Sequence, residues 1–176
     1  MRGEETQMVG IAGRLTDDND ESTYILPGTH SKHIHVRQKK IIDFETYMTG
    51  EVFSVMSACI ILSQSIDIPE GGHVKPDEPE AFRKGVGHSV RTHLLNGLFS
   101  ARVNLINECL TKQQNYFYLS GLLIGAELGS LRTGRRRLVL CGGGSLAPFY
   151  RTAFDVLGLA DRLFVITAEE VNKAAL

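Results

Sequence analysis

The stretch Arg137–Tyr150, RLVLCGGGSLAPFY, limits what this chain can fold into more than any other. RLVLC reads as a buried strand, bounded by three successive glycines. Leu146–Leu157 then reads as a helix, with Pro148 tolerated in its first turn and Gly158 ending it. A second apolar run, Arg162–Thr167, reads as another buried strand. Strand, glycine turn, helix, strand is the order of an α/β fold. Glycine allows a ligand to approach the backbone closely, and the helix start offers free N–H groups to a phosphate. A tight strand-to-helix turn with no ligand is the plainer alternative. Gly142–Ala147 also fits the short dinucleotide pattern GxGxxA, and the next strand ends near Glu169, where a ribose-binding acid would stand.

The rest of the chain supplies a meander and helices. Tyr24–Leu26, His33–Arg37 and Ile41–Thr46 read as three strands. They are joined by Pro27–His30 and by Gln38–Lys40, turns short enough to require antiparallel pairing. Glu51–Gln64, Glu80–Ser100, Ala101–Leu110 and Asn115–Leu131 read as helices, with the Pro- and Gly-rich residues 67–80 as a loop and the plausible internal hinge. Gly121, Gly125 and Gly129 fall every four residues on one face of the last helix, leaving room for a neighbouring backbone. Met8–Ala12 follows Glu4 and Glu5 as a helix follows an acidic first turn, so the chain opens at the mouth of an element. Ala168–Leu176 begins a helix without a C-cap, so the chain is expected to be cut there too.

Composition narrows the class. With 176 residues, 19 basic and 20 acidic side chains and a net charge of −1, the chain suits a globular protein and speaks against a nucleic-acid or membrane binder. The polar N-terminus is no signal peptide and no apolar run reaches membrane-spanning length, so the expected location is cytoplasmic. Cys59, Cys109 and Cys141 lack CxxC spacing and sit in apolar contexts, which reads as core packing in a reducing compartment. His30, His33 and His35 are close, but two histidines on a strand are more often packing or solvent contacts than zinc ligands and no third ligand is evident; Asp17–Glu21 lacks the glycine and the terminal glutamate of a calcium loop, so no metal ligands are assigned. Four arginines at 132 and 135–137, without aromatics, read as a solvated loop. Leu26–Lys32, LPGTHSK, holds donors able to wrap phosphate oxygens or serves only as a hairpin turn. Arg2-Gly3-Glu4-Glu5 suits helix capping, or a base and polyol contact.

Taken in order, MRGEETQMVG, LPGTHSKHIHV, FETYMTGEVFSVM, YLSGLLIGAEL and LVLCGGGSLAPFYRTAF resemble the C-terminal half of the 2-dehydro-3-deoxygalactonokinases. The resemblance implies one RNase H-like lobe of the actin/Hsp70/sugar-kinase fold, a single unit over residues 1–176: a mixed sheet with three antiparallel strands, flanked by helices. It implies ATP and Mg²⁺, with the γ-phosphate transferred to the 6-hydroxyl of 2-dehydro-3-deoxy-D-galactonate. It gives Gly28, Thr29, His30 and Lys32 to the β/γ-phosphates and Gly142, Gly143, Gly144 and Ser145 to the nucleotide. Glu4, where related sugar kinases carry Asp, becomes the catalytic base. Glu5 stands second and, with Arg2, faces the sugar acid. The Asp-x-Gly-x-Thr loop of the other lobe has no counterpart in the sequence. The chain alone is therefore expected to be inactive or weakly active, with an N-terminal lobe as partner in cis or trans and an exposed apolar face favouring homo-oligomers. The competing readings are a non-catalytic lobe that binds nucleotide or sugar acid, and an NAD-binding module.

Overall fold

The computed structural model describes residues 21–59, 61–69, 79–142 and 144–167; the helices expected at either end lie outside them. The chain divides into two compact units. One takes in residues 21–47, 135–147 and 161–167; the other, residues 48–134 and 148–160.

The first unit is a five-stranded mixed sheet. Its strands are β1 (Glu21–Leu26), β2 (Ser31–Arg37), β3 (Lys40–Tyr47), β4 (Arg137–Cys141) and β5 (Leu163–Ile166), in the order β3-β2-β1-β4-β5. β1, β2 and β3 pair antiparallel; β4 runs parallel to β1, and β5 parallel to β4. The three antiparallel strands are thus one side of a larger sheet, whose other side is parallel. Gln38 and Lys39 make the β2–β3 turn at φ 49° and 60°, the left-handed pair that a two-residue hairpin needs. Ser22–Ile25 and Ser31–Val36 are buried along their whole length, so β1 and β2 are covered on both faces. One face gathers Tyr24, Ile34, Val36, Val139, Cys141 and Ile166 into a cluster. β5 departs from its expected burial: Phe164 and Val165 are exposed because β5 is an edge strand, and the Arg137 guanidinium lies 4.3 Å over the Phe164 ring. Arg136 and Arg137 are accordingly half-buried rather than part of a solvated loop. Glu21 bridges Arg37 (2.7 Å) and Arg136 (3.0 Å), and these guanidiniums hold its carboxyl below the usual range.

The second unit is helical: α1 (Thr49–Ala58), α2 (Pro79–Ser89), α3 (Leu94–Ile106), α4 (Lys112–Leu128) and α5 (Ala147–Val156), with a 3-10 turn at Ile61–Ser65. The expected helix over 51–64 is therefore two pieces. The break expected at residue 100 falls instead at 90–93. Ser89 turns its hydroxyl back onto the Val86 carbonyl (2.7 Å), and His93 takes an extended N-cap conformation, so α3 runs unbroken through Ser100 and Ala101. α4 starts three residues earlier than Asn115, at a capping box: Gln114 N–H donates to Thr111 Oγ1 (3.2 Å), and Thr111 N–H donates to Gln114 Oε1 (2.9 Å).

The glycines of α4 have a structural use. A Cβ on Gly121 would stand 2.1 Å from the Phe82 carbonyl oxygen, and one on Gly125 3.0 Å from Val86 Cα. α2 reciprocates, since a Cβ on Gly85 would stand 2.1 Å from the Tyr118 carbonyl oxygen. The two helices therefore meet backbone to backbone, as the four-residue spacing suggests. Gly129 takes no part, with nothing within 4 Å. Leu62, Ile66, Leu98, Ala101, Leu119 and Leu122 make the core beside this contact. Of the cysteines only Cys141 is buried; Cys59 and Cys109 are exposed, because both follow the last turn of a helix, beyond its packed face.

Candidate functional site

The sheet topology brings the two glycine turns to one edge. The parallel register runs from Ser22 beside Arg137 to Ile25 beside Leu140, so β1 and β4 end together. The chain leaves β1 through Pro27–His30 and leaves β4 through Gly142. β5 ends there too, since Cys141 lies beside Ile166 and Gly142 N–H donates to the Ile166 carbonyl (2.9 Å). Loops at the carboxyl ends of adjacent parallel strands are where open α/β sheets bind ligands.

The residues at this edge differ in character. Gly142 and Gly144 have φ of +64° and +47°, and a Cβ on either would meet nothing within 4 Å. They take a backbone shape that other residues adopt at a cost, while their Cα surfaces stay open to a ligand. A short 3-10 turn, Gly144–Leu146, feeds α5; Ser145 in it is exposed. Gly143 lies outside the described residues. On the other loop Gly28 is half-buried and Thr29 and His30 are exposed; Lys32, the second residue of β2, is about nine-tenths buried with its Nζ 3.5 Å from the His30 carbonyl oxygen. Glycine N–H groups, a hydroxyl and an ammonium at one edge can hold phosphate oxygens. Burial pushes the adjacent Cys141 thiol up to about 12, so it stays protonated at neutral pH and offers no thiolate. Arg2, Glu4 and Glu5 lie outside the described residues. Among those described, no three His, Cys, Asp or Glu side chains gather as metal ligands, and no helix is long and apolar enough to cross a membrane.

His33 and His35, read from sequence as packing or solvent contacts, are buried on β2. His35 Nδ1 lies 2.9 Å from Thr23 Oγ1 and 3.1 Å from an Arg136 nitrogen, while the His33 ring lies 4.6 Å from that of Tyr47.

One polar residue of the helical unit escaped the reading of the sequence. Glu127, near the end of α4, is 3% exposed. Its Oε2 accepts from Thr49 Oγ1 (2.5 Å) and from Tyr150 Oη (2.8 Å). Its signal was a single carboxylate inside the apolar run GLLIGAEL, a placement that a buried charge tolerates only with partners.

Comparison with known proteins gives the family. The model of the 2-keto-3-deoxy-galactonokinase family matches residues 1–176. The chain is 35% identical over 162 residues to the 2-dehydro-3-deoxygalactonokinase of Escherichia coli (strain K12), covering 90% of this chain and 52% of that protein. It is 33% identical over 184 residues to a Rhizobium meliloti (strain 1021) protein provisionally named 2-dehydro-3-deoxygalactonokinase DgoK1, covering 100% of this chain and 57% of that one. A crystal structure of a candidate 2-dehydro-3-deoxygalactonokinase from Sinorhizobium meliloti superposes with a TM-score of 0.85 at 32% identity, over 99% of this chain and 56% of its own. The chain thus spans about half the length of the curated relatives it matches. With the family model matched from end to end and the glycine turns at one sheet edge, the chain belongs to the 2-keto-3-deoxy-galactonokinase family.

Proposed function

We propose that this chain is the nucleotide-bearing lobe of an enzyme that transfers the γ-phosphate of ATP to the 6-hydroxyl of 2-dehydro-3-deoxy-D-galactonate. The observation that carries the reading is that the Pro27–His30 turn and Gly142 follow the carboxyl ends of neighbouring parallel strands, in a chain matched throughout by a 2-keto-3-deoxy-galactonokinase family. The lobe is RNase H-like, a single functional half made of both compact units. Gly28 and Thr29 cradle the β- and γ-phosphates through backbone N–H and hydroxyl donors, with His30 and Lys32 beside them. Gly142–Ser145 lies against the nucleoside, its glycines admitting close approach. Mg²⁺ bound to the ATP phosphates would neutralise their charge during transfer, and no residue of this chain is assigned to it. Glu4 takes the proton of the 6-hydroxyl as the phosphoryl group arrives, Glu5 adjoins it, and Arg2 pairs with the substrate carboxylate.

In this reading the second wall of the cleft comes from an Asp-x-Gly-x-Thr lobe, so the 176-residue chain alone turns over little or no substrate. The test is ADP release with the sugar acid, first from the purified chain and then with a polypeptide supplying that lobe, fused or mixed. Activity is expected only in the second case. There, Glu4→Gln should lower kcat by about 100-fold or more with little change in the KM for ATP. A fully active Glu4→Gln enzyme would remove the base assignment. Robust turnover by the chain alone would remove the need for a partner lobe. Nucleotide binding with no turnover in any combination would favour a non-catalytic binding lobe.

The nucleotide turn has its own test. Gly144→Ala should fold, losing about 1 kcal/mol because its φ is +47° and nothing nearby clashes. Its ATP affinity, read by calorimetry, should fall at least severalfold more than that of Gly129→Ala. Equal affinities would detach the turn from the nucleotide.

A further inference from the structure

The Gly144–Leu146 turn runs into α5 with no residue between them, so turn and helix form one element. What holds the start of that helix therefore sets where the turn points. Two neighbouring side chains hold it, in different ways. The Phe149 ring lies 5.1 Å from that of Phe82 on α2 and 6.3 Å from that of Phe117 on α4. Ala153 and Phe154, both fully buried, continue this apolar side of α5. Apolar burial keeps the helix close but is non-directional, so it tolerates a small rotation or slide. The Tyr150 phenol is different. It is buried, and its Oη donates to Glu127 Oε2 at 2.8 Å. A hydrogen bond to a carboxylate is directional and stronger than one between neutral groups. Glu127 is itself buried in the apolar run of α4, where a carboxylate carries a desolvation cost and adds little to apolar packing.

We propose that Glu127 is a positioning residue for the nucleotide turn: its carboxylate holds the Tyr150 phenol and through it fixes the rotation of α5, and with α5 the Gly144–Leu146 turn. The inference rests on the reading that Gly142–Ser145 lies against the nucleoside, and it names the residue that aims that turn. Donors contribute fully only when held at hydrogen-bonding distance and angle, and a displacement of about 1 Å forfeits much of that contribution. Glu127 acts here through Tyr150, not by touching the nucleotide. The same Oε2 also accepts from Thr49 Oγ1, at the start of α1. Thr49 is remote in sequence from Gly144–Leu146, so the carboxylate supplies its own control. Tyr150→Phe and Thr49→Val each strip one hydroxyl donor from one oxygen and leave side-chain shape nearly unchanged. A carboxylate that only holds the fold together would respond to both alike.

The test is calorimetric titration of the full chain and both variants with ATP. Tyr150→Phe should raise the dissociation constant about fivefold or more, and Thr49→Val should leave it within about twofold. Hydrogen exchange across the first turns of α5, followed without nucleotide, should quicken severalfold in Tyr150→Phe and stay at the parent rate in Thr49→Val. Equal losses of ATP affinity in the two variants, or no loss in Tyr150→Phe, would overturn the proposal. So would unchanged exchange at the start of α5 in Tyr150→Phe. Failure of the parent chain to bind ATP would remove the nucleotide reading and this role with it, and shows before any substitution is made.

Discussion

Gly121→Ala is expected to cost about 3–5 kcal/mol of stability and to lower the melting temperature by roughly 10 °C or more. The added methyl would lie 2.1 Å from the Phe82 carbonyl oxygen and 3.1 Å from Val86 N. Both are backbone atoms of a helix, so neither can turn aside as a side chain would. α2 would have to move away from α4, opening the contact that Gly85 makes with Tyr118 from the other side. Gly85→Ala should do comparable damage. Gly129→Ala is the internal control: φ is −58° and nothing lies within 4 Å, so it should be neutral or gain up to about 1 kcal/mol. Thermal melts of the three variants decide the matter. If Gly121→Ala melts like Gly129→Ala, the close helix contact is not what holds this unit together.

Glu127→Ala should cost about 2–4 kcal/mol. The lost carboxylate accepts two hydroxyl hydrogen bonds, and one of its donors, Tyr150, is itself 1% exposed. Water has little access to replace the acceptor, so two buried or half-buried hydroxyls would lose a charged partner at once. Thr49 opens α1 and Tyr150 lies in the first turns of α5, so the same carboxylate ties two helix starts to the end of α4. Tyr150→Phe removes one donor and leaves the other, and should cost only about 1 kcal/mol. Urea denaturation of both variants tests this order. A Glu127→Ala cost below that of Tyr150→Phe would mean that the carboxylate does not anchor these helices.

These effects separate what was legible in the sequence from what was not. The strand, glycine turn and helix at 137–156 were readable because each step is local: an apolar run, residues without a Cβ, and a stop glycine. Gly158, at φ +69°, sits where a helix ending needs it. The α4 glycine face was readable as a close-approach surface because four-residue spacing alone puts Gly121 and Gly125 on one side. Which helix would come to it was not, since Gly85 lies 36 residues away and its own segment shows no comparable repeat. The break between α2 and α3 was misplaced because apolar residues continue on both sides of it. Side-chain hydrogen bonds at Ser89 and the N-cap geometry at His93 decide it, not hydrophobic spacing.

The candidate site shows the same division. Sequence alone marked Gly28, Thr29 and Gly142–Ser145 as separate turns with the right donors, since donor chemistry belongs to residue type. It also carried the family, through blocks that match in order. That β4 inserts parallel beside β1, so that turns more than 100 residues apart share an edge, came only from the tertiary structure. Strand order depends on which edges find each other, a long-range choice that local pattern does not encode. Burial of Glu127 is likewise a tertiary result. Thr49 and Tyr150 come from helices that place them 78 residues before and 23 residues after it, and only packing brings their hydroxyls to one oxygen.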